Sequence, residues 1–399
     1  MSDVQGILEA LERADRAAVD VVLATVVKVE GSAYRRPGAR MLIPREGRAV
    51  GTVSGGCLEQ ELVKKAWWLT ESQTAVIRRY STAAHEDDDD EEGAALTFGL
   101  GCNGTVHVLL ERHPAGQPSV LQDLLREVRA TGQPAALATV LAAGGHSGER
   151  LGTRMGVGAV SAAGRGFRCD TLQQRVEADL QATLAGKKSS RMTYGDGLHA
   201  VEVFLEYIAP QRRLVIFGGG HDAQPLVQFA KALNWHVDVV DGRAHFARPE
   251  RFPLADRVRT VPITRPFDDA ALVDGAAVVI MTHSYRQDRH WLASVLACAP
   301  AYIGQLGPRE RTERLLQELG SAAPVAGQRP ELHYPVGLDL GGDTPQSVAL
   351  AIVSEIAASL NQRNGGMLKH RTSTIHEPLP AHRTARLEPE AQVRGAHGH

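Results

Sequence analysis

Apolar residues recur along this chain in two different rhythms, and the change falls near residue 210. Before it, short apolar runs alternate with amphipathic helical stretches and glycine turns. The opening MSDVQGILEALERADRA places apolar residues at helical spacing among charges, which predicts an amphipathic helix. A strand follows over Val21–Val29, then a turn at Gly31-Ser32 leading through Arg35-Arg36-Pro37-Gly38 into a second strand at Ala39–Ile43. Leu58, Leu62, Ala66 and Leu69 share a helical face opposite Glu59, Glu61, Lys64 and Lys65, so a helix is expected to begin near Cys57. Thr74–Tyr80 and Thr105–Glu111 read as strands, the latter after the glycine-rich turn Leu96–Gly104. The acidic run Glu86–Glu92 repels itself and reads as a solvated loop.

The same rhythm then repeats. Leu23–Met41 aligns without a gap on Leu137–Met155, with identities that include Thr25/Thr139, Gly31/Gly145, Arg36/Arg150, Gly38/Gly152 and Arg40/Arg154. After one shift, Val106–Glu111 falls on Val201–Glu206. Chance would supply roughly one identity in such a window, so a duplicated fold is the economical reading. Residues that a fold demands survive in both copies. Arg36 and Arg40 recur, which favours a shared structural role such as a buried ion pair or turn clamp, whereas Arg35 faces Glu149 and the two glycine-flanked cysteines, Cys57 and Cys102, face no cysteine.

From Leu214 onward strands and helices alternate, which implies a parallel sheet with helices on both faces. The short strand Leu214–Phe217 runs straight into Gly218-Gly-Gly220-His221-Asp-Ala223, and Asp241 ends the following strand. That context gives the dinucleotide fingerprint: glycines for a tight turn, a helix N-terminus for a pyrophosphate, and a carboxylate for a ribose 2′-hydroxyl. Thr344 and Pro345 mark the start of a last helix with Val348, Ile352, Val353 and Ile356 facing inward. The expected fold is therefore α/β, with a C-terminal Rossmann-like, doubly wound parallel sheet and an N-terminal α/β region of two tandem repeats. Its boundaries are read as 1–113 and 114–210 for the repeats, 211–361 for the Rossmann-like domain and 362–399 for a flexible, polar tail.

Composition narrows the function classes. With 399 residues, 43% apolar and 23% charged, the chain has enough apolar content for two or three cores. A net charge of −2 without a basic cluster argues against nucleic acid, and no apolar run approaches a membrane span or a secretory h-region, so a cytoplasmic protein is expected. Cys57, Cys102, Cys169 and Cys298 lie far apart with no CxxC, which excludes a disulfide scaffold and a zinc ribbon.

Candidate chemistry gathers at two places. Cys57 follows Ser54-Gly55-Gly56 at the expected helix start, where unpaired N–H groups would favour a thiolate, and Cys102 lies between Gly101 and Asn103, where the backbone can expose the sulfur. Arg35, supported by Arg36 and Arg40, could hold an anion there. In the second half Gly218, Gly220, His221 and Asp241 form the fingerprint, and His283 ends a strand where doubly wound sheets place ligands.

Glu30-Gly-Ser32 with Arg36, Gly38 and Met41, Gly51-Thr-Val-Ser-Gly-Gly-Cys-Leu-Glu59, Gly99-Leu-Gly-Cys-Asn-Gly104, Val215–His221, Asp241, Met281-Thr-His283, Tyr302-Ile-Gly304 and Pro335–Gly341 form a set of motifs. Together they resemble the XdhC/CoxI family, accessory proteins of xanthine dehydrogenase and related molybdenum hydroxylases. The resemblance implies a protein that binds the molybdenum cofactor (molybdopterin) and holds it while a cysteine desulfurase supplies the terminal sulfur. It would then pass the cofactor to an apo molybdenum hydroxylase, acting as a cofactor-insertion chaperone rather than a catalyst. Cys57 and Cys102 are the implied molybdenum contacts, and a homodimer is implied as well. The competing readings are an NAD-dependent oxidoreductase using the fingerprint with His283 as acid or base, an acyl transferase pairing Cys57 with His107 or His85, and a ligand-independent scaffold.

Overall fold

The computed structural model describes residues 4–56, 58–81, 96–97, 104–160, 166–264, 267–320, 329–372 and 382–385. They fall into two units, one of residues 1–210 with those from 377 onward, the other of residues 211–376. None of the described helices is long and apolar enough to cross a membrane.

The first unit holds two sheets of like topology. In the first copy, α1 (Val4–Arg16), β1 (Val21–Gly31), β2 (Arg40–Pro44), β3 (Val50–Gly51), α2 (Glu59–Leu69), β4 (Val76–Ser81), β5 (Leu96–Thr97) and β6 (Gly104–His113) give the sheet order β3-β2-β1-β6-β4-β5. In the second, α3 (Val120–Thr131), β7 (Ala135–Ala143), β8 (Arg154–Val157), α4 (Asp170–Gly186), β9 (Ser190–Tyr194) and β10 (Val201–Ile208) repeat its centre as β9-β10-β7-β8. The period-two alternation of β1 explains its burial on both faces. Val21 and Leu23 pack with α1 and α3, while Val22, Ala24 and Val26 pack under α2. Ala135 and Leu137 of β7 repeat the first role, and Ala136, Ala138 and Val140 the second, under α4.

Even the irregularity is duplicated. The β1–β6 register slips between Val26 and Lys28, and the β7–β10 register slips so that Leu141, aligned with Val27, is passed over. Such a bulge turns the extra side chain to the other face. Val27 and Leu141 accordingly meet Leu109 and Phe204 in one small apolar cluster.

Two arginine–glutamate pairs tie the copies together reciprocally. Arg40 of β2 donates to Glu206 of β10 (2.8 Å from Nη1 to Oε1), and Arg154 of β8 donates to Glu111 of β6. Gly38 (φ +94°) and Gly152 (φ +82°) make room, since a Cβ there would lie 2.8 Å from Glu206 and 2.6 Å from Glu111. The recurrence of Arg40 and Gly38 in the sequence is thus structural.

The polar tail is not wholly without structure. Arg383–Ala385 forms a short strand parallel to β9, burying Ala385, so these residues correct the reading of 362–399 as flexible throughout. It covers the edge of β9 as β5 covers the equivalent edge of β4. An uncovered edge would leave backbone N–H and C=O groups unpaired.

The second unit is a doubly wound parallel sheet. Strands β11 (Arg213–Phe217), β12 (His236–Asp241), β13 (Arg257–Thr260), β14 (Ala277–Ile280), β15 (Tyr302–Gln305) and β16 (Leu332–His333) lie in the order β13-β12-β11-β14-β15-β16. All pairings are parallel. Leu214, Ile216, Val237, Val239, Ala277 and Val279 face α5 (Ala223–Ala232) and a long C-terminal helix; Val215, Phe217, Val278 and Ile280 face the opposite core. That last helix is α9 (Pro345–Leu360), and between α5 and it in the chain come α6 (Ala270–Val273), α7 (Tyr285–Leu296) and α8 (Arg309–Leu319). Thr344 caps α9 through Ser347 N–H at 3.2 Å, with Pro345 in the first turn. The strand order reverses between β11 and β14, where a crevice opens beyond the strand ends.

Candidate functional site

In the first unit, the described flanks of both cysteine motifs close on one loop, the β1–β2 connection. Gly104 begins β6 opposite Gly31, so close to the loop that a Cβ there would overlap the Ser32 carbonyl oxygen. On the other side the Tyr34 ring lies 3.6 Å from where a Cβ of Gly55 would be. Cys57, Cys102 and Asn103 themselves lie outside the described residues, as does His85. The same β1–β2 loop carries Arg35 and Arg36.

The loop preceding Cys57 is held from within by Glu59. Its Oε1 accepts from the Val53 N–H (3.1 Å), the Ser54 N–H (2.8 Å) and the Thr52 hydroxyl, and its Oε2 from the Ser54 hydroxyl (2.5 Å) and Gly56 N–H (3.0 Å). Ser54 Oγ in turn accepts from Leu58 N–H at 3.1 Å. Burial would push the Glu59 carboxyl up, but the hydroxyls of Ser54 and Thr52 and the backbone N–H groups outweigh it and hold the group below the ordinary glutamate value. This corrects the expectation of unpaired N–H groups around Cys57: those of Gly56 and Leu58 are spent on Glu59 and Ser54. In the sequence Glu59 is simply part of the polar side of α2, so its role in the loop carries no periodic signal.

The arginines separate. Arg40 is almost fully buried and bonded to Glu206 and to the Gly38 carbonyl (3.0 Å), so it is a structural residue and not a ligand contact. Arg36 is half-buried, and burial pushes its guanidinium pKa down; its carbonyl accepts from Ala39 N–H at 3.0 Å, fixing the turn. Arg35 is half-buried and forms no ion pair among the described residues. In the second copy the aligned Glu149 turns inward and accepts from the N–H groups of Arg168 (2.7 Å) and Cys169 (3.4 Å) at the start of α4. That copy closes its own corner with a carboxylate. His107 points its Nε2 toward Glu30 Oε1 at 3.6 Å, and burial together with Lys28 pushes its pKa down.

In the second unit, Gly218 adopts φ +124° and a Cβ would lie 2.5 Å from the Met281 carbonyl oxygen, so the tight turn requires glycine. Asp241, expected to accept from a ribose, is fully buried with both oxygens committed. Gly219 N–H donates to Oδ2 (2.8 Å), and Arg243 donates to Oδ1 from its backbone and its Nε (both 2.9 Å) and to Oδ2 from Nη2 (2.9 Å). Burial would raise this carboxyl, yet Arg243 and Gly219 hold it below the usual aspartate range. Arg243 also reaches the Thr282 carbonyl at 3.1 Å and stacks over Phe246. The fingerprint therefore holds as geometry, while Asp241, the residue expected to meet a ribose, is committed to an internal ion pair with Arg243.

Gly220 leads into Asp222, whose Oδ1 stands over the glycine loop where a Cβ of Gly220 would be. Its other oxygen meets His283 Nε2 at 2.6 Å. His283 holds φ +56°, a conformation uncommon outside glycine, and projects into solvent; His221 is exposed. Beside this pair a cleft of about 420 Å³ is lined by Met281, Leu306, Pro308, Arg311, Asp343 and Val348 among others. Among the described residues no group of three or more His, Cys, Asp or Glu is arranged to hold a metal ion.

Comparison with known proteins bears on both units. A family model described as the XdhC Rossmann domain matches residues 214–356, and one described as the XdhC and CoxI family matches residues 14–81. A Bacillus subtilis protein, named as a probable xanthine dehydrogenase subunit, is 29% identical over 346 residues, 84% of this chain and 92% of its own. The molybdenum cofactor insertion chaperone PaoD of Escherichia coli is 23% identical over 338 residues, 84% of this chain and 82% of its own. The crystal structure of a xanthine dehydrogenase from Bacillus halodurans is 28% identical, with a TM-score of 0.71 over 93% of this chain and 98% of that one.

Proposed function

Because the chain belongs to the XdhC/CoxI family, we propose that it is an accessory protein that binds the molybdenum cofactor, holds it during sulfuration and delivers it to a molybdenum hydroxylase of the xanthine dehydrogenase type. The observation that carries this reading is the meeting of both cysteine-motif flanks on the loop of Arg35. Thiolates are soft ligands suited to molybdenum or to accepting sulfur, and a guanidinium suits the cofactor's phosphate. In this reading Cys57 and Cys102 contact the metal, with a cysteine desulfurase as the sulfur source. Arg35, Gly55 and Gly56 flank the anionic cargo, and Glu59 keeps their loop in shape. The second copy has Glu149 where the first has Arg35, which supports the first copy alone as the cargo site.

The test is the molybdenum and pterin content of the chain purified anaerobically from a host that makes the cofactor. Wild type should carry both near one per chain, Cys57→Ala or Cys102→Ala should lose both, and Arg35→Glu should retain much less. Equal, low content in wild type and all three variants would refute the reading. An NAD-dependent activity is not favoured, since Asp241 has no oxygen left for a ribose.

A further inference from the structure

The second copy brings two imidazoles together at the corner where the first copy meets the flank of its Cys102 motif. His146 aligns with Ser32, and the register that sets Val106–Glu111 on Val201–Glu206 sets His199 on Gly104. In the first copy Gly104 must stay bare because the Ser32 carbonyl stands against it. In the second the close approach falls elsewhere: a Cβ on Gly144 would overlap the Leu198 carbonyl. The corner is thereby freed for side chains, and the rings of His146 and His199 stand there with centroids 5.6 Å apart.

The backbone beneath both rings is fixed. Gly144 N–H donates to the Ala200 carbonyl (2.8 Å), His146 N–H to the Leu198 carbonyl (3.0 Å), His199 N–H to the Asp196 carbonyl (3.0 Å) and the Ser147 hydroxyl to the Gly144 carbonyl (2.7 Å). Both side chains are exposed, and among the described residues neither is hydrogen-bonded or ion-paired to another side chain. Rotation of exposed rings is fast, so a nitrogen of each can turn to a common point.

The spacing suits one shared ion. With metal–nitrogen distances near 2.0–2.1 Å and the ring centre roughly 1.1 Å beyond the nitrogen, two imidazoles on one ion hold their centres about 5 Å apart at the tetrahedral angle and about 6 Å when opposed. The observed 5.6 Å lies between these limits. An anion would need both rings charged, and like charges this close repel, whereas a transition-metal ion takes both rings neutral. Imidazole selects zinc, copper or nickel over magnesium or calcium.

We propose that His146 and His199 bind one divalent ion of the zinc, nickel or copper class, clamping the β7–β8 loop to the segment that enters β10. No third His, Cys, Asp or Glu among the described residues completes the set, so solvent fills the remaining positions and leaves them exchangeable.

The test is calorimetric titration of the metal-free full chain with zinc chloride. It is run on Cys57→Ala/Cys102→Ala, where the thiolates cannot compete, and repeated on the unaltered chain. One zinc should bind per chain at this site, magnesium should not displace it, and His146→Ala or His199→Ala should weaken it on the order of 10–100-fold, at least as much as losing an outer-shell partner does. Pulsed EPR with one equivalent of Cu(II) should show two coordinated imidazoles in wild type and one in either variant. Zinc bound alike by wild type and both histidine variants, a wild-type copper spectrum with one imidazole or none, or loss of the site in His397→Ala/His399→Ala would each overturn the proposal. His146→Ala and His199→Ala should retain molybdenum and pterin as wild type does, so this site and the cargo reading can fail separately.

Discussion

Replacing Arg40 by methionine would leave the Glu206 carboxylate buried without its partner. The side chains of this pair are only 3% and 5% exposed, so water cannot take over the lost hydrogen bonds. Removing one member of such a pair costs roughly 3–5 kcal/mol, whereas replacing both by apolar groups is often close to neutral. Arg40→Met should therefore cost about 3–5 kcal/mol and Arg40→Met/Glu206→Leu should recover most of it, giving a coupling energy of at least ~2 kcal/mol. The reciprocal pair supplies an internal comparison. Arg154 and Glu111 are 16% and 12% exposed, and Arg154→Met should cost less, roughly 1–2 kcal/mol, between the buried and exposed ranges. Hydrogen exchange read by mass spectrometry suits a chain of two units, because peptides from β1 and β10 report on one and peptides from β11 and β14 on the other. A loss of about 3 kcal/mol lowers protection in β1 and β10 by ~100-fold or more and leaves β11 and β14 unchanged. A cost under about 1 kcal/mol for Arg40→Met, or a double variant as unstable as the two single losses combined, would refute the reasoning from burial.

Two further outcomes follow from the loops around the cysteine motifs. Glu59 has a depressed folded pKa, so its stabilisation is present above the ordinary value of 4.5 and is lost as pH falls through the lower, folded value. The difference in urea stability between wild type and Glu59→Gln should then be largest at neutral pH and shrink below pH 4.5; a difference that stays constant with pH would count against the carboxylate network. Gly104→Ala forces a Cβ into the Ser32 carbonyl and should cost roughly 1–3 kcal/mol in denaturant titration while reducing retained molybdenum; wild-type stability and metal content would show that the loop does not pack there.

Much of the fold is legible in the sequence because local signals and packing agree. The Thr344-Pro345 helix start, the apolar strand before Gly218 and the 114-residue offset of the duplication each appear where the sequence puts them. The rest is hidden for physical reasons. Arg257–Thr260 and Arg383–Ala385 pair at sheet edges with little burial, so they show no apolar alternation to read. Asp241 sits at the right spacing, but its role is decided by Arg243 two residues on, which spacing rules do not consult. Asp222 lies inside the fingerprint at a position the motif leaves open, because only the glycines and the helix start are constrained by the turn.

The duplication itself implies more than a fold. Once Arg40 aligns with Arg154 and Glu111 with Glu206, a pseudo-symmetric unit lets the arginine of each copy meet the glutamate of the other, which is what the structure shows. The recurrence of Arg40, Gly38 and Glu111 is then accounted for by the join between copies, and the search for function turns to residues that do not recur. That criterion leaves Cys57, Cys102 and Arg35 in the first copy, against Glu149 in the second, folded inward to satisfy its own helix. One half has a corner neutralised from within, while the other carries Arg35 on the loop that Gly55 and Gly104, the described flanks of the cysteine motifs, approach. An asymmetry on so symmetric a frame is where a specific cargo would be recognised.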